Sequence, residues 1–227
     1  MPHKAVLKPS VDRKVWAYPG QKNTFGLLPG PEGTCPGATL GPGGCRDVTR
    51  PKRPDCYVYK ILQCYPSVRA ILTHNTEVVR GPGCGDALRA EFERFAADPR
   101  RPAGGCYRLH WAGDIFSRKY AERLRGAMEA FPETTFWAYT RSFGEVDVFR
   151  GQRNLVFYLS LDPVNRDEGL ALHAREPWAK LCWLSRERPE DLKLVACPVD
   201  ARNMQLEGAC HKCRLCLRGH NIWFRTK

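Results

Sequence analysis

The strongest chemical signal in the sequence is a group of cysteines near its carboxyl terminus. Its members are Cys197, Cys210, Cys213 and Cys216. The last three form a C-x2-C-x2-C run, and the first lies at the end of a predicted strand. This spacing favours an iron–sulfur cluster over zinc, which usually pairs one C-x2-C with a second, distant one. His211 and His220 keep zinc open as an alternative. We therefore predict a metal site here, with an iron–sulfur cluster as the preferred occupant.

A second set of cysteines lies in and just beyond a Gly- and Pro-rich stretch over residues 18–55. Its members are Cys35, Cys45 and Cys56, with Cys64 as an optional fourth. A structureless loop of this length is uncommon in a compact domain unless it is functional or disordered, and wrapping a metal would order it. Three protein thiolates would leave one iron open to a substrate or cofactor. The irregular spacing leaves a second interpretation open, in which these are ordinary loop and helix cysteines.

Polar residues stand at the ends of three predicted strands. They are His110 and Asp114 at the end of the first strand, Thr140, Arg141 and Ser142 at the end of the second, and Ser160 and Asp162 at the end of the third. Catalytic residues of parallel barrels lie at the carboxyl ends of the strands, so we predict a pocket there. The candidate catalytic residues are Asp114, Arg141, His110 and Asp162. Arg141 suits an anionic ligand through bidentate contact. Structural roles also stay open: Asp114 as a helix cap, His110 in the core and Arg141 in an ion pair.

The elements that must position these residues alternate between strands and helices. Strands are predicted at residues 106–113, 134–142, 154–162, 179–185, 192–198 and 221–225. A helix lies between the first two strands, with Phe116, Tyr120 and Leu124 on one face and Asp114 as its cap. Further helices are predicted at residues 56–72, with a break at Pro66, and 86–97.

The order of these elements predicts the fold class. Strand, helix and strand at this spacing indicate βαβ units with parallel pairing. No Gly-rich dinucleotide fingerprint is present, so the units favour a partial (β/α) barrel over a Rossmann sheet. We predict an α/β protein with a single domain over residues 1–227. Its parts are a metal-wrapping loop at 18–55, a βα core at 56–196 and a cluster-binding carboxyl-terminal segment at 197–227.

The composition limits the setting and the partners. No stretch approaches the roughly 18 apolar residues of a membrane span, and no secretory signal opens the chain, so we expect a cytoplasmic protein without membrane contact. In a reducing compartment its 11 cysteines favour metal ligation over disulfides, whereas the isolated Cys84, Cys106 and Cys182 favour core packing. The net charge of +12 favours an anionic ligand or nucleic acid, or else reflects a generally basic surface. Sequence motifs of serine hydrolases, P-loop proteins and zinc proteases are absent.

Several segments together resemble a known family. They are TCPGA (34–38), Cys56-Tyr57, RLHWAGDIFSRKYAERL (108–124), FWAYTRS (136–142) and the terminal VACP with CHKCRLC. The resemblance is to the gene-product-88 domain family of phage and related bacterial proteins, and it spans residues 24–225. That family's pattern is in turn similar to radical S-adenosylmethionine enzymes. The similarity implies a partial (β/α) barrel, an open-iron cluster on the amino-terminal cysteines and an auxiliary cluster at the carboxyl terminus.

The same resemblance implies a cofactor site and a function. Gly113 and Asp114 would contact the methionine part of S-adenosylmethionine, and Ser142 and Ser160 complete the cofactor-binding candidates. The sequence departs from the radical pattern because it lacks C-x3-C-x2-C. The expectation is an iron–sulfur enzyme, in the host cytoplasm if phage-encoded, with S-adenosylmethionine as a candidate cofactor. The alternative is a basic iron–sulfur or zinc protein that binds nucleic acid without catalysis.

Overall fold

The computed structural model describes residues 6–30, 33–45, 56–103, 105–201 and 203–225. Parts of the predicted metal-wrapping loop, at 31–32 and 46–55, therefore lie outside the described residues, as do 202, 226 and 227 of the carboxyl-terminal segment. Within the described ranges, no helix has both the length and the apolar character needed to cross a bilayer.

The centre of the fold is a six-stranded parallel sheet that curls into a half-barrel. Its strands are β1 (Cys106–Arg108), β2 (Thr135–Thr140), β3 (Leu155–Leu161), β4 (Lys180–Ser185), β5 (Val195–Ala196) and β6 (Ile222–Arg225). Their spatial order is β1-β2-β3-β4-β6-β5, and every neighbouring pair is parallel. The predicted mixed α/β class and the partial-barrel sheet are confirmed in this form.

Both faces of the sheet are apolar, because each is covered by a separate layer. Along β2, Phe136 and Ala138 pack into the main core beneath the helices. Trp137 and Tyr139 point to the opposite face, where they pack against residues of the carboxyl-terminal segment, among them Cys210 and Cys216. This alternation follows from the two-residue period of a strand. The inner face is therefore covered by the Cys-rich segment.

Helices cover the outer face. They are α2 (Pro66–Arg80), α3 (Cys84–Ala96), α4 (Arg118–Glu129) and α5 (Arg166–Arg175). Helix α1 (Tyr57–Cys64) packs in a separate cluster with Leu72 and Ala112, and the short α6 (Ala209–Cys213) belongs to the segment on the inner face. Phe92 of α3 lies between Tyr107 and Phe136 of the sheet, at ring-centroid distances of 5.3 and 4.6 Å. Leu124 and Met128 of α4 are fully buried beside them. A 3₁₀ helix (Phe143–Phe149) joins β2 to β3. This helix, α5 and α6 are not among the predicted elements.

Three predicted boundaries were wrong, each for a local reason. The first strand ends at Arg108 instead of residue 113, because His110 and Gly113 have left-handed backbones with φ of 54° and 80°. The helical stretch predicted at 56–72 continues to Arg80; its predicted break is confirmed, since two helices meet at Tyr65 and Pro66 opens the second, where proline is tolerated. The strand predicted at 192–198 shortens to β5, which has two residues.

The cap of α4 is also a correction. Ser117, with extended backbone, caps this helix, and its hydroxyl accepts a hydrogen bond from the Tyr120 N–H at 3.3 Å. Asp114 lies three residues earlier and does not cap the helix. Its carboxylate instead accepts hydrogen bonds from the Thr140 hydroxyl and the Arg141 N–H.

Candidate metal centres

The structure brings Cys35, Cys45 and Cys56 together although they are spread over more than twenty residues. The Cys45 thiol donates a hydrogen bond to Cys56, and Cys35 lies close enough to both for their charges to interact. The three thiols lie near Arg141 and Asp114, which follow strands β2 and β1. The amino-terminal thiol site, as we call these three cysteines, therefore lies at the carboxyl edge of the parallel sheet.

Cys56 is the thiol of this site that ionises most easily. It is the residue immediately before α1, and the N–H groups of Val58 and Tyr59 point at its sulfur. The pKa of Cys56 is lowered to about 6, chiefly by the hydrogen bond from Cys45 and also by these N–H groups, which together outweigh the cost of burial. The same hydrogen bond, together with burial, raises the pKa of Cys45. Burial and the charge of Asp114 raise the pKa of Cys35 to about 12.

Asp162, at the end of β3, holds Cys45 in place. The Cys45 N–H donates to the Thr39 hydroxyl at 2.7 Å and to the Asp162 carboxylate at 3.2 Å. Thr39 donates its own hydroxyl to Asp162 at 2.6 Å. The guanidinium of Arg141 forms an ion pair with the same carboxylate, and both side chains are buried. Asp162 and Arg141, both predicted to be catalytic, thus stabilise the position of the loop that carries Cys45.

Asp114 joins the ends of the first two strands. Its carboxylate accepts hydrogen bonds from the Thr140 hydroxyl at 2.6 Å, the Arg141 N–H at 2.7 Å and the Ile115 N–H at 2.7 Å. Burial raises the pKa of this carboxyl, and the three hydrogen bonds partly offset that shift. The Ser142 N–H in turn donates to the Thr140 hydroxyl at 2.9 Å. Asp114 therefore fixes the strand ends against which the cysteine loop packs.

Two glycines allow the loop to lie directly on these strand ends. A Cβ atom on Gly37 would lie 1.9 Å from the carbonyl oxygen of Arg141. A Cβ on Gly113, which has a φ of +80°, would lie 2.4 Å from the hydroxyl of Thr34. Thr34 is completely buried and donates to the Leu28 carbonyl at 2.9 Å. The TCPGA segment, which carries Cys35, is thus in backbone contact with the sheet.

Other predicted site residues lie apart from this centre. His110 is buried between Phe25 and Tyr120, with its Nε2 2.6 Å from the Tyr120 hydroxyl. Burial lowers its pKa to about 3. Ser160 is beside Cys182 on the inner face, where the two residues are register partners. His110 is therefore a core histidine, as one of the open interpretations has it.

Cys64 does not join the amino-terminal thiol site. It is exposed at the last position of α1, while Cys56 precedes the first. A helix of this length separates its two ends by about 12 Å.

Thr39 and Gly37 are residues of the amino-terminal thiol site that sequence reasoning missed. The signal was their place beside Cys35 in the TCPGAT segment.

The four carboxyl-terminal cysteines line one cavity on the inner face of the sheet. They are Cys197, Cys210, Cys213 and Cys216, and the wall behind them includes Trp137, Leu217 and Ile222. The Cys197 N–H donates to the Trp223 carbonyl at 2.9 Å, which ties it to β6, and the Cys210 N–H donates to the Lys14 carbonyl at 2.7 Å. The structure therefore brings all four predicted ligands to one place.

Two tyrosines on the inner face of the sheet contact the carboxyl-terminal cysteine segment. The Tyr158 hydroxyl lies 2.8 Å from the carbonyl oxygens of both Cys216 and His220, and its one proton is shared between them. Tyr139 donates to the Cys216 thiol. Burial raises the pKa of Cys216 to about 11 and that of Cys210 to about 12, so both are neutral thiols in the metal-free protein at pH 7. Metal binding would displace these protons.

Neither thiol set meets the geometry of a single bound ion. Among the residues that the structure describes, no three His, Cys, Asp or Glu side chains are arranged so that they could hold one metal ion. His211 and His220, the alternative zinc ligands, are not among the described residues that line the carboxyl-terminal cavity. The donor chemistry of both sets is nevertheless thiolate, which suits iron–sulfur clusters and zinc.

Comparisons with known proteins place the chain among phage sequences. A family model described as Gene product 88 matches residues 5–219. The Gene 88 protein of Mycobacterium phage L5 is 31% identical, with 98% of each chain covered. The Gene 88 protein of Mycobacterium phage D29 is 30% identical, again with 98% of each chain covered. No solved structure gives a significant match.

Proposed function

The chain belongs to the gene product 88 family, and we propose that within it this protein is an iron–sulfur enzyme whose reactive centre is the amino-terminal thiol site. One observation carries the proposal. Cys35, Cys45 and Cys56 converge at the carboxyl edge of a parallel half-barrel sheet, beside buried Asp114 and Arg141. In parallel barrels this edge is where catalytic residues are found.

The donor set of the amino-terminal thiol site fits an iron–sulfur cluster. Three thiolates would hold three irons, and the fourth would be open to a small ligand. The cluster would supply one-electron transfer. The chain's own residues supply the rest: Asp162 and Thr39 hold the Cys45 backbone, and the N–H groups at the start of α1 favour the Cys56 thiolate.

We extend the proposal to S-adenosylmethionine as the small ligand. Its support is the half-barrel sheet and the position of Gly113 and Asp114 next to the cysteine loop. The Asp114 carboxylate already accepts three hydrogen bonds, so its part is to shape the loop around the ligand. The cysteine spacing departs from C-x3-C-x2-C, and no comparison links the family to radical enzymes. Binding measurements therefore decide this extension separately from the cluster itself.

For the carboxyl-terminal cavity we propose a second cluster with a structural role. Cys197 and the C-x2-C-x2-C run line one cavity, and the bound group would fasten residues 197–216 to the inner face. Zinc is the alternative occupant, because four thiolates also suit it. In either case the group stabilises the fold, since ligands that meet only in the folded chain convert binding energy into folding energy.

The experiment is anaerobic reconstitution of the full chain, followed by iron, sulfide and zinc analysis and an absorbance spectrum. We expect brown protein that loses about half of its iron in Cys45→Ala and in Cys213→Ala. Cys64→Ala is the matched control, because Cys64 is exposed and stands outside both sets. Colourless, zinc-loaded wild-type protein would contradict the iron–sulfur proposal. Reduced, reconstituted protein that neither binds nor cleaves S-adenosylmethionine would contradict only the extension to that ligand.

The net charge of +12 favours a second candidate function, in which the protein binds nucleic acid and the metal only stabilises its fold. Basic side chains that bind phosphates release the cations condensed on the nucleic acid. This release is less favourable at high salt, so such binding would weaken steeply as the salt concentration rises. It would survive Asp114→Asn, whereas ligand binding at the amino-terminal thiol site would not. Filter-binding measurements at several salt concentrations separate the two functions.

A further inference from the structure

The indole nitrogen of Trp137 is a buried hydrogen-bond donor that the protein leaves without an acceptor. Trp137 lies in β2 and is 2% exposed. Among the residues that the structure describes, none offers an acceptor within hydrogen-bonding distance of its Nε1. Most buried polar side-chain atoms are hydrogen-bonded, because a donor removed from water loses hydrogen bonds that only another acceptor can replace. The unpaired donor of Trp137 is therefore an exception with a cost in free energy.

The surroundings of Trp137 indicate where an acceptor would come from. Its side chain forms part of the wall of the cavity that the four carboxyl-terminal cysteines line. The rest of that wall is mostly aliphatic, with side chains such as Val199, Leu215, Leu217 and Ile222, which have no hydrogen-bond acceptor. Since no described residue pairs with the indole N–H, the remaining source of an acceptor at this wall is a group bound among the cysteines.

A second donor on the same strand already reaches a cysteine of this cavity. Tyr139 is two residues after Trp137, so both side chains lie on the inner face of the sheet. The Tyr139 hydroxyl donates a hydrogen bond to the Cys216 thiol. Arg108 is the register partner of Trp137 on β1, and its positive charge acts on Cys210 and Cys216. Strands β1 and β2 therefore present donors and positive charge to the sulfurs of this site.

We propose that the Trp137 N–H donates a hydrogen bond to a sulfur of the cluster held by the four carboxyl-terminal cysteines, and that it thereby raises the reduction potential of that cluster. This inference rests on the cluster proposed above for that cavity. Hydrogen bonds to the sulfurs are one determinant of the reduction potential of an iron–sulfur cluster. The reduced cluster carries one more negative charge than the oxidised cluster, so a donor stabilises the reduced form more. Filling the cavity also gives the unpaired N–H its acceptor.

The test is a potentiometric titration of the reconstituted full chain carrying Cys45→Ala, so that only the carboxyl-terminal cluster contributes to the signal. Adding Trp137→Phe to this parent keeps an aromatic ring and removes the N–H. We expect the iron and sulfide content of the parent and a more negative midpoint potential. Trp178→Phe is the matched control, because the Trp178 N–H has its acceptor in Glu176 at 2.6 Å and the residue is not among the described ones that line the cavity. Its midpoint potential should equal that of the parent.

A second replacement preserves the packing of the indole ring. The tryptophan analogue 3-benzothienylalanine, placed at position 137, has sulfur where the indole has its N–H and keeps the shape of the ring. It should make the midpoint potential more negative, as Trp137→Phe does. An unchanged potential in analogue protein with its full iron content would overturn this inference and leave the cluster proposal intact, and so would an equal shift in Trp178→Phe. Parent protein that takes up no iron and sulfide would instead contradict the carboxyl-terminal cluster itself, and this inference with it.

Discussion

Gly37 lies in van der Waals contact with the backbone of Arg141, so close that any side chain would collide with it. A Cβ at Gly37 would be 1.9 Å from the Arg141 carbonyl oxygen and 3.0 Å from the Ser142 nitrogen. The contact joins residues that are about a hundred positions apart in the chain. It places Cys35, two residues before Gly37, beside the ends of the first two strands.

This contact predicts a large effect of Gly37→Ala. The methyl group meets backbone atoms that cannot rotate away, so the loop must move, and overpacking of this kind costs about 1 to 3 kcal/mol. We expect a lower midpoint of thermal unfolding and loss of iron from the amino-terminal thiol site. Gly126→Ala is the control, because Gly126 is inside α4 with open space around its Cα and should gain about 1 kcal/mol. Equal stabilities of the two variants would refute the close contact.

The Arg141–Asp162 ion pair predicts a second large effect. The two side chains are 9% and 1% exposed, and Asp162 also accepts hydrogen bonds from Thr39 and the Cys45 N–H. Asp162→Asn leaves the guanidinium buried without its counter-charge, which costs about 3 to 5 kcal/mol. Urea unfolding at pH 7 measures the loss.

A matched exposed pair controls for this measurement. Asp147 pairs with Arg118 at 3.0 Å, with side chains 46% and 55% exposed. Asp147→Asn should cost less than about 1 kcal/mol, because solvent screens the pair. If Asp147→Asn cost as much as Asp162→Asn, the buried network would have no special role in the fold.

The buried state of His110 predicts how stability depends on pH. Its pKa is about 3 in the folded protein, against an ordinary value of 6.5 in the unfolded chain. Between these values the unfolded state binds one more proton, so the free energy of unfolding falls as the pH falls, by up to about 1.4 kcal/mol per pH unit. His110→Gln should flatten this slope between pH 6.5 and 4.5. His220→Gln, at an exposed position, should keep it.

Substitution of a cysteine outside the two thiol sets should have a different effect from substitution of a proposed metal ligand. Cys182 is 1% exposed on the inner face, near Cys216, and Cys106 is 5% exposed. Cys182→Ala should lower the free energy of unfolding by about 1 kcal/mol, since it removes one buried atom. The iron and sulfide content should stay at the wild-type level. Loss of iron in Cys182→Ala would instead make this residue a ligand.

The arrangement of the sheet was largely predictable from the sequence. Segments such as TFWAYT and LVFYLSL have the aromatic and β-branched composition of buried strands, and each gave a strand close to its predicted bounds. The short first strand was not predictable, because apolar composition continues past Arg108 while His110 and Gly113 turn the backbone. Helix α5 was missed, since its residues lack a strong apolar face and only Gly169 is buried.

The sequence by itself determined which groups are present to do chemistry: a C-x2-C-x2-C run, a loop with further cysteines, and polar residues where parallel strands end. Tertiary structure alone decided which of them meet. It brought Cys35, Cys45 and Cys56 together, and it made Asp114 a link between the ends of two strands instead of a helix cap. The reason is physical: local spacing records contacts within a helix turn or strand, whereas these contacts join segments tens of residues apart through the packing of the whole sheet.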